Sequence, residues 1–504
     1  MADDASPFLR FDNSFAREMA GFYAAANPEA APAPHLVRLN VALAAELGAP
    51  GLAERPAGEL AALFAGNAPP AGAAPLAQAY AGHQFGGFSP SLGDGRALLL
   101  GEVVDVHGRR RDIAFKGSGR TPFSRRGDGR AALGPMLREY LLGEAMHGLG
   151  IPTTRALAVV ATGETVRRER PLPGAVLTRV AASHLRVGTF EFFAARGETE
   201  RLRRLADYAI ARHDPGLVGI AGAGARYLAW LEAVGERQAR LIAQWMGAGF
   251  IHGVMNTDNA TLSGETIDYG PCAFMEAYDP GTVFSSIDHG GRYAYANQPP
   301  IAQWNLARLA EAVLPLLDAD PDAALAAATA IVEGFAARYE EHWRAVMRAK
   351  LGLDGAADGD AELARDWLGL LEAGGVDYTL AMRALADALE QPTALERLFP
   401  GGQGIAGLAD WWSRWQARSA AAALDAAGRA VRAARLRGAN PLYIARNHRV
   451  EAALDAASRD GDLAPFERLL DVLARPFEAQ PGCEDLAQAA PAGFTAGFQT
   501  FCGT

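Results

Sequence analysis

Hydrophobic and polar positions follow two different periods along the chain. Up to about residue 80 the apolar positions recur at helical spacing, as in PHLVRLNVALAAELG, which ends at Gly48. Asn13 stands where it could cap another helix in SFAREMAGFYAAA. These patterns predict a helical N-terminal extension over residues 1–80.

Over residues 81–187 the pattern changes to that of strands. RALLLGEVVDV and RDIAFKG flank a turn at HGRR and predict a β-hairpin, and TRALAVVATGETVRRERPLPGAVLTRV predicts further strands. Between them GPMLREYLLGEAMHGLG predicts one helix that begins near Pro135 and ends at Gly148 or Gly150. This part of the chain is therefore expected to form a β-rich lobe with a single helix.

Residues 188–504 have a mostly helical pattern. The exception is ATLSGETIDYG, where a short hairpin is predicted to turn at Ser263 and Gly264. The fold class expected is α+β, with a helical extension, a β-rich lobe and a large helical lobe with a C-terminal tail. That order is the layout of a two-lobe protein-kinase-like fold. A generic α+β protein is the alternative, which the layout alone favours.

Composition narrows the class of protein. The chain has 504 residues, 50% of them hydrophobic and 21% charged, as in soluble globular proteins. The net charge of −10 argues against a general nucleic-acid binder. No apolar run reaches the length of a membrane span, and the acidic start has no apolar segment typical of a secretory signal. Three cysteines are too few for a disulfide scaffold, so a cytoplasmic protein is expected.

One stretch, HGVMNTDNATLSGETIDYGP, is similar to a protein-kinase catalytic centre. His252 and Asn259 keep the seven-residue offset between the kinase histidine and asparagine, and Asp268 begins Asp-Tyr-Gly where kinases have Asp-Phe-Gly. Val254 occupies the position of the catalytic aspartate. The stretch therefore keeps the metal-binding pattern of a kinase without its base.

Three of its side chains could carry chemistry. Asn259 and Asp268 offer the oxygens that Mg²⁺ prefers, although each alone could simply be a turn residue. Asp258 lies next to Asn259 and could replace the missing carboxylate as general base. Its alternative is an Asx-turn or a helix cap, and the sequence leaves both readings open.

Lys116 ends the apolar strand DIAFK, as the phosphate-binding lysine of kinases does. The helix that follows carries Glu139 and Glu144, and their five-residue spacing places them on different faces. At most one of them should point at Lys116. A solvated lysine at a strand end is the alternative.

Glycines and arginines in the β-rich region suggest an anion site. Gly93 and Gly95 in LGDGRA would let backbone N–H groups approach phosphate, although a Gly-Asp-Gly is also a common turn. Arginine forks suit phosphate oxygens, and a solvated basic loop is the alternative. The arginines concerned are Arg120, Arg125, Arg126, Arg130, Arg179 and Arg186.

Longer motifs point to one family. YAGHQFGGFSPSLGDGRALLLGE, DIAFKGSGRTPFSRRGDGRA, LREYLLGEAMHGLGIPTTRAL and GFIHGVMNTDNATLSGETIDYGPC resemble the selenoprotein O family, whose bacterial members are called YdiU. The resemblance extends over nearly the whole chain. It implies a kinase-like fold that binds ATP in a flipped orientation and transfers AMP, with release of pyrophosphate, to Ser, Thr or Tyr hydroxyls of other proteins.

The resemblance also implies roles for individual residues. Asp258 would be the proton acceptor, and Asn259 and Asp268 would hold Mg²⁺ or Mn²⁺, with Asp268 also contacting the nucleotide. Glu139 would pair with Lys116. The residues that would bind ATP are Gly93, Gly95, Arg96, Lys116, Asp128, Gly129, Arg179 and Arg186.

Three further points follow from the residues and the resemblance. A kinase-like small-molecule phosphotransferase is disfavoured by Val254, and a catalytically silent scaffold by the retained Lys116, Asn259 and Asp268. UTP remains open as an alternative donor. The tail FCGT places Cys502 at a position like that of selenocysteine in selenium-containing relatives. This resemblance raises the hypothesis of a regulatory disulfide between Cys272 and Cys502, and two unpaired thiols are the alternative that stays open.

Overall fold

The computed structural model describes residues 8–391 and 393–501 of the chain. An antiparallel sheet of eight strands runs in the order β1-β3-β6-β7-β10-β9-β2, with β8 paired to β10. Two separate pairs, β4 with β5 and β11 with β12, lie beside it. The strands are β1 Tyr23–Ala25, β2 His35–Leu39, β3 Leu76–Gln78, β4 Gly82–Gln84, β5 Gly87–Ser89, β6 Ala97–Val104, β7 Arg110–Lys116, β8 Ala131–Ala132, β9 Arg155–Arg167, β10 Pro171–Ala181, β11 Phe250–Ile251 and β12 Ala273–Phe274.

Helices make up most of the remaining chain. They are α1 Ser14–Glu18, α2 Val41–Glu46, α3 Ala57–Ala65, α4 Leu133–Gly148, α5 Val187–Ala194, α6 Thr199–His213, α7 Ala223–Ala248, α8 Gln298–Leu317, α9 Pro321–Glu333, α10 Phe335–Lys350, α11 Asp360–Gly374, α12 Tyr378–Ala388, α13 Thr393–Glu396, α14 Leu408–Ser419, α15 Ala426–Ala439, α16 Asn447–Asp455 and α17 Ala464–Leu473. The expected mixed α+β class is confirmed. The expected boundaries at residues 80 and 187 stay predictions.

The two faces of the sheet bury different side chains, because alternate residues of a strand point to opposite sides. Ile113 and Phe115 of β7 pack in a core with the helices α2 and α3. Leu177 of β10 and Val159 of β9 pack on the other side, in the core that includes Leu137 of α4. The sheet is thus covered on both faces, and the predicted hairpin β6–β7, helix α4 and strands β9 and β10 are confirmed.

The N-terminal region differs from the helical extension that the pattern predicts. The segments 23–25, 35–39 and 76–78 are strands at the two edges of the main sheet. The run HLVRL, expected to begin a helix, pairs with β9, and Asn40 then caps α2 by accepting from the N–H of Leu43. A short apolar run fits either period, so the sheet partner decides its conformation.

The predicted hairpin at Ser263 and Gly264 is also wrong. The two sides of this turn do not pair with each other as strands: Thr261 pairs with Arg186, and Thr266 pairs with Thr153. The turn is closed instead by the Thr261 hydroxyl, which donates to the carbonyl oxygen of Glu265 at 2.6 Å. Side-chain closure of this kind leaves the flanking backbone free to join other segments.

The helix α7 and the strand β11 directly precede the stretch 252–271 that is similar to a kinase catalytic centre. The helix ends at Gly249, whose φ of 70° lies in the left-handed region that terminates helices, and β11 follows at once. The strand β11 pairs with β12, so the intervening residues 252–272 form one closed loop. In the described part of the chain no helix is both long and apolar enough to cross a membrane.

Candidate active site

A cleft of about 780 Å³ opens between the sheet and the loop that follows α7. Its volume lies in the range of small-ligand sites, about 300–1,000 Å³. The predicted site residues line it, except Glu139, which lies behind Lys116. Those on its surface are Gly93, Gly95, Arg96, Lys116, Asp128, Gly129, Arg179, Arg186, Asp258, Asn259 and Asp268.

Two cations project from one face of the sheet at the floor of the cleft. Lys116 of β7 lies opposite Leu177 of β10, and Arg179 follows Leu177 by two residues, so it points to the same face of the sheet. Both cations therefore point towards α4. Glu139 of α4 meets both of them: its Oε2 lies 2.6 Å from Lys116 Nζ and its Oε1 lies 2.7 Å from Arg179 Nε. Glu144 points elsewhere and pairs with Arg155.

Asp268 completes this cluster from the opposite side. Its Oδ1 lies 2.6 Å from Lys116 Nζ and 2.6 Å from Arg179 Nη2. Burial alone would raise the pKa of Asp268, but Arg179, Lys116 and Arg186 outweigh burial and hold it well below its usual range. Its φ of 63° is unusual for a residue with a side chain. The fold thus holds an ionised carboxylate in a strained position against two cations.

His252 is a support of the loop and not part of its polar surface. The ring is buried and stacks on Trp245, with 5.3 Å between the centroids. Its Nε2 donates to the carbonyl oxygen of Ile267 at 2.9 Å, which leaves Nδ1 to accept from the N–H of Val254 at 3.3 Å. Burial lowers the pKa of His252, which favours this neutral form. The ring therefore joins the start of the loop to the segment that carries Asp268.

Asn259 and Asp268 are the candidate ligands of a divalent cation. The Asn259 amide nitrogen donates to the carbonyl oxygen of Val254 at 3.0 Å, which directs its donor inward and leaves its oxygen as an acceptor. No group of three or more His, Cys, Asp or Glu side chains suited to a metal occurs among the described residues. One amide oxygen and one carboxylate fit Mg²⁺, which takes few protein ligands when phosphates supply others.

Asp258 lies in the same cleft with an unusual environment. Its Oδ2 accepts from Gln84 Nε2 at 3.3 Å, and its buried Oδ1 has no hydrogen-bond partner in the described residues. Burial raises the pKa of Asp258 to about 6, against the opposing effects of Arg186 and Gln84. A carboxylate with a pKa near neutrality is well suited to general-base chemistry.

The hairpin β4–β5 holds Asp258 in place. A Cβ on Gly82 would lie 2.6 Å from Asp258 Oδ1, so the carboxylate packs directly on this glycine. The N–H of His83 donates to Thr257 Oγ1 at 2.7 Å, and His83 Nδ1 lies 2.5 Å from Oε1 of Glu191 on α5. The sequence assigned no role to this hairpin, because only tertiary contact brings it to the loop.

The glycine loop before β6 is shaped by a neighbouring loop. Gly93 has a φ of 65°, and a Cβ there would lie 2.3 Å from Phe123 Cγ. Thr121 Oγ1 donates to the carbonyl oxygen of Asp94 at 2.6 Å. A Cβ on Gly95 would lie 3.2 Å from the carbonyl oxygen of Phe123. These glycines therefore allow two loops to pack together while their backbone lines the cleft.

Arginines form the outer wall of the cleft. Asp128 accepts from Arg168 Nη1 at 2.8 Å and from the N–H of Arg130 at 2.9 Å, and the Arg168 contact lowers the pKa of Asp128. Arg168 lies in the turn between β9 and β10 and was missed from the sequence, where it looks like one solvated residue of a basic run. Arg186 lies deeper, with Cζ 4.5 Å from the centroid of Tyr80. The other arginines on the wall are Arg96, Arg120, Arg125, Arg126 and Arg130.

Comparison with known proteins gives one result over nearly the whole chain. A family profile described as "Protein adenylyltransferase SelO" matches residues 7–474. A curated "Protein nucleotidyltransferase YdiU" of Cereibacter sphaeroides is 62% identical over 498 residues, 98% of this chain and 100% of that protein. Proteins with the same name from Chromobacterium violaceum and Rhizobium leguminosarum bv. trifolii are 62% and 56% identical, over 96% and 98% of this chain and 99% and 97% of their own lengths.

Proposed function

The chain belongs to the SelO family of protein adenylyltransferases, and we propose that it transfers AMP from ATP to Ser, Thr or Tyr hydroxyls of other proteins and releases pyrophosphate. This membership confirms the resemblance drawn from the motifs and identifies the chain as a nucleotidyltransferase enzyme. One observation carries the mechanism: valine stands at the kinase base position, while the carboxylate of Asp258 lies in the same cleft as the cluster of Lys116 and Asp268.

The basic floor of the cleft supports the proposal that ATP binds with its triphosphate end deep in the cleft. Lys116, Arg179 and Arg186 are held there, with Glu139 and Asp268 as the carboxylates in contact with the first two. A nucleotide that enters with its phosphates inward would exchange part of these internal pairs for phosphate contacts. This arrangement supports the flipped orientation and the kinase-like layout that the family resemblance implies.

The metal proposal rests on Asn259 and Asp268. The fit of their two oxygens supports Mg²⁺ or Mn²⁺ as cofactor of the ATP, and such an ion, when bound, neutralises phosphate charge. Asp268 would have to share its carboxylate between the ion and the two cations that now contact it. Asn259 needs no rearrangement of its amide nitrogen, since that atom already donates to Val254.

The proton acceptor proposal rests on Asp258. Its Oδ1 is buried without a protein donor, so the oxygen that an incoming hydroxyl would meet is Oδ2, which would exchange its 3.3 Å contact with Gln84 for the proton of that hydroxyl. In-line attack on the α-phosphorus then expels pyrophosphate towards the basic floor. Positioning and charge neutralisation supply most of the rate in such transfers, so a weak base suffices.

The deciding experiment uses ATP labelled at one phosphate at a time. We expect label from α-labelled ATP on acceptor protein, and label from γ-labelled ATP in released pyrophosphate only. The variants Asp268→Ala and Asn259→Ala should abolish transfer. Transfer of the γ label alone would favour the alternative of a small-molecule phosphotransferase. Absence of both labels from the acceptor would favour the alternative of a catalytically silent scaffold.

A regulatory disulfide between Cys272 and Cys502 is the second proposal that the resemblance supports. Cys502 lies outside the described residues. Thr500, two residues before it, donates from Oγ1 to the carbonyl oxygen of Pro271 at 2.6 Å, which brings the tail close to Cys272. Burial raises the pKa of the Cys272 thiol to about 12, so it reacts only when the segment opens.

Peptide mapping without reductant tests this pairing. A Cys272–Cys502 peptide that forms under mild oxidation and disappears with dithiothreitol supports it, provided that the transfer rate changes in step. Pairing through Cys483, or a transfer rate unchanged in Cys502→Ser, would contradict the proposed Cys272–Cys502 disulfide.

The cytoplasm remains the proposed compartment, where such disulfides are transient. The net charge of −10 supports protein acceptors and not nucleic acids.

A further inference from the structure

The turn of the β4–β5 hairpin carries an aromatic residue in an unfavourable conformation. Phe85 and Gly86 are its two central residues, with φ of 51° and 87°. Turns that need positive φ at both positions favour Asn-Gly, and a bulky side chain at the first position is strained. Strain of this kind persists only where surrounding contacts impose it, and it concentrates at functional sites.

Two side chains hold Phe85 in this conformation. Its N–H donates to Asn256 Oδ1 at 3.1 Å and lies 3.2 Å from the hydroxyl oxygen of Tyr293. Phe85 is 37% exposed, and its ring lies 5.0 Å from the Tyr293 ring, centroid to centroid. Phe85 and Ile287, which is 48% exposed, both line the cleft. The fold therefore keeps an apolar surface at the mouth of the site.

Beside this turn lies a cation without a carboxylate partner. Arg292 has its Cζ 4.8 Å from the centroid of Trp304 and within 3.6 Å of the point where a Cβ on Gly86 would lie. No carboxylate of the described residues forms an ion pair with Arg292. In contrast, Arg308 stacks on the same Trp304 at 4.9 Å but is already paired with Glu311 at 2.7 Å. Stacking fixes the Arg292 guanidinium and leaves its charge available.

The cation and the ring lie next to the proposed base. Gln84, which contacts Asp258, directly precedes Phe85. An extended segment advances about 3.3 Å per residue, so residues within about three positions of a hydroxyl at Asp258 can reach the turn. A protein segment whose hydroxyl reaches Asp258 therefore has this edge within its reach.

We propose that Phe85 and Arg292 form the docking rim for the acceptor segment, with an apolar side chain on Phe85 and an Asp or Glu side chain paired with Arg292. This inference rests on the proposed transfer to protein hydroxyls and adds a preference in the acceptor sequence. Aromatic rings and arginines are the residues that most often anchor such contacts, and an arginine fork suits a carboxylate.

The test uses a set of synthetic peptides with one Ser, in which Glu, Gln or Lys is placed in turn at each of the three positions on either side. The unmodified protein should transfer AMP to the best Glu peptide with kcat/KM about fivefold above its Gln counterpart, the size of one half-exposed ion pair. In Arg292→Glu the order should reverse, so that the Lys peptide becomes the better acceptor. Arg308→Gln is the matched control and should keep the original order.

A second variant tests the ring. Phe85→Asn suits the left-handed turn and should fold and bind ATP as before. It should lose about fivefold in kcat/KM for peptides with an apolar residue beside the Ser, and little for peptides without one. Equal transfer to Glu, Gln and Lys peptides at every position would contradict the proposed docking rim, and so would a charge preference unchanged in Arg292→Glu. Neither result would contradict the proposed transfer of AMP to proteins. Absence of transfer to any acceptor by the unmodified protein overturns both.

Discussion

Asp258 should make the transfer rate depend on pH. Its pKa is raised to about 6 by burial, and only the deprotonated carboxylate can accept a proton. We therefore expect kcat/KM to rise with pH through about 6 and to level off above it. Asp258→Asn should lower kcat by about 10²-fold or more with little change in ATP binding, and should remove this limb of the profile. A variant that keeps full rate would show that Asp258 is only a cap.

Lys116 should matter for stability as well as for ATP binding. Its side chain is 13% exposed and contacts Glu139 and Asp268, so Lys116→Met leaves the buried Glu139 and the partly exposed Asp268 with Arg179 as the one cation in direct contact. We expect a loss of about 3 kcal/mol in the free energy of unfolding, measured by denaturant titration, together with a loss of ATP affinity.

The other lysine provides a matched control. Lys350 is 5% exposed, forms no ion pair with the described residues, and has a pKa that burial lowers to about 7. Lys350→Met therefore removes a buried amine without leaving a charge unpaired, and should change stability by less than about 1 kcal/mol. Equal losses in the two variants would contradict the importance of the cluster.

At the scale of elements, the hairpin β4–β5 should fix the position of the Asp258 carboxylate through steric contact. Gly82→Ala would place a Cβ 2.6 Å from Asp258 Oδ1, so the carboxylate must shift. We expect kcat to fall about tenfold, since small misplacements of catalytic groups are costly, while ATP affinity stays the same. Steady-state kinetics and a separate ATP-binding titration distinguish the two effects.

Gly87→Ala is the control within the same hairpin. The nearest atom to a Cβ on Gly87 is the carbonyl oxygen of Gln84 at 3.5 Å, an ordinary contact. Its rate should match that of the unmodified protein. A similar loss in both variants would mean that the hairpin tolerates no side chain anywhere, and the specific contact with Asp258 would lose its support.

The elements that could be predicted from sequence are those with clear local signals. The strands β6 and β7 are apolar runs on either side of a clear turn, and α4 has terminal glycines, so these elements are determined by their own residues. The strands β1 to β3 are only three to five residues long and depend on sheet partners. The hairpin β4–β5 gave no turn signal, because Phe-Gly replaces the usual Asn-Gly at its turn.

The site shows the same division at residue level. Asp268 and Asn259 stand at offsets set by a local motif, Lys116 ends a strand with a clear apolar pattern, and all three line one cleft. Arg168 and Gln84 are brought to the cleft by the turn between β9 and β10 and by the β4–β5 hairpin. Such residues are visible only once strands from distant parts of the chain have been placed together.

At the scale of the whole molecule, the C-terminal tail joins regions far apart in sequence. The N–H of Ser286 donates to the carbonyl oxygen of Thr500 at 2.9 Å, and the N–H of Thr500 donates to that of Phe284 at 2.8 Å. Phe498 packs on Phe284, with 5.7 Å between ring centroids. The tail thus stabilises the segment that follows the loop 252–272.

Removal of residues 498–504 should loosen that segment. We expect faster hydrogen exchange at the Ser286 amide, because its acceptor is lost, and at its neighbours. The amides of β7 lie in the main sheet away from the tail and serve as the internal reference. Unchanged protection at Ser286 would show that the segment is stable without the tail.

The cluster at the cleft floor has a practical consequence for covalent chemistry. The 504-residue chain contains only two lysines, Lys116 and Lys350, and Lys350 is almost fully enclosed. A reagent that acylates lysine amines therefore has one site on the folded molecule that solvent can reach, and that site is the proposed phosphate anchor. Mass spectrometry of one peptide would then report how many molecules hold nucleotide at any moment, even in a crude extract.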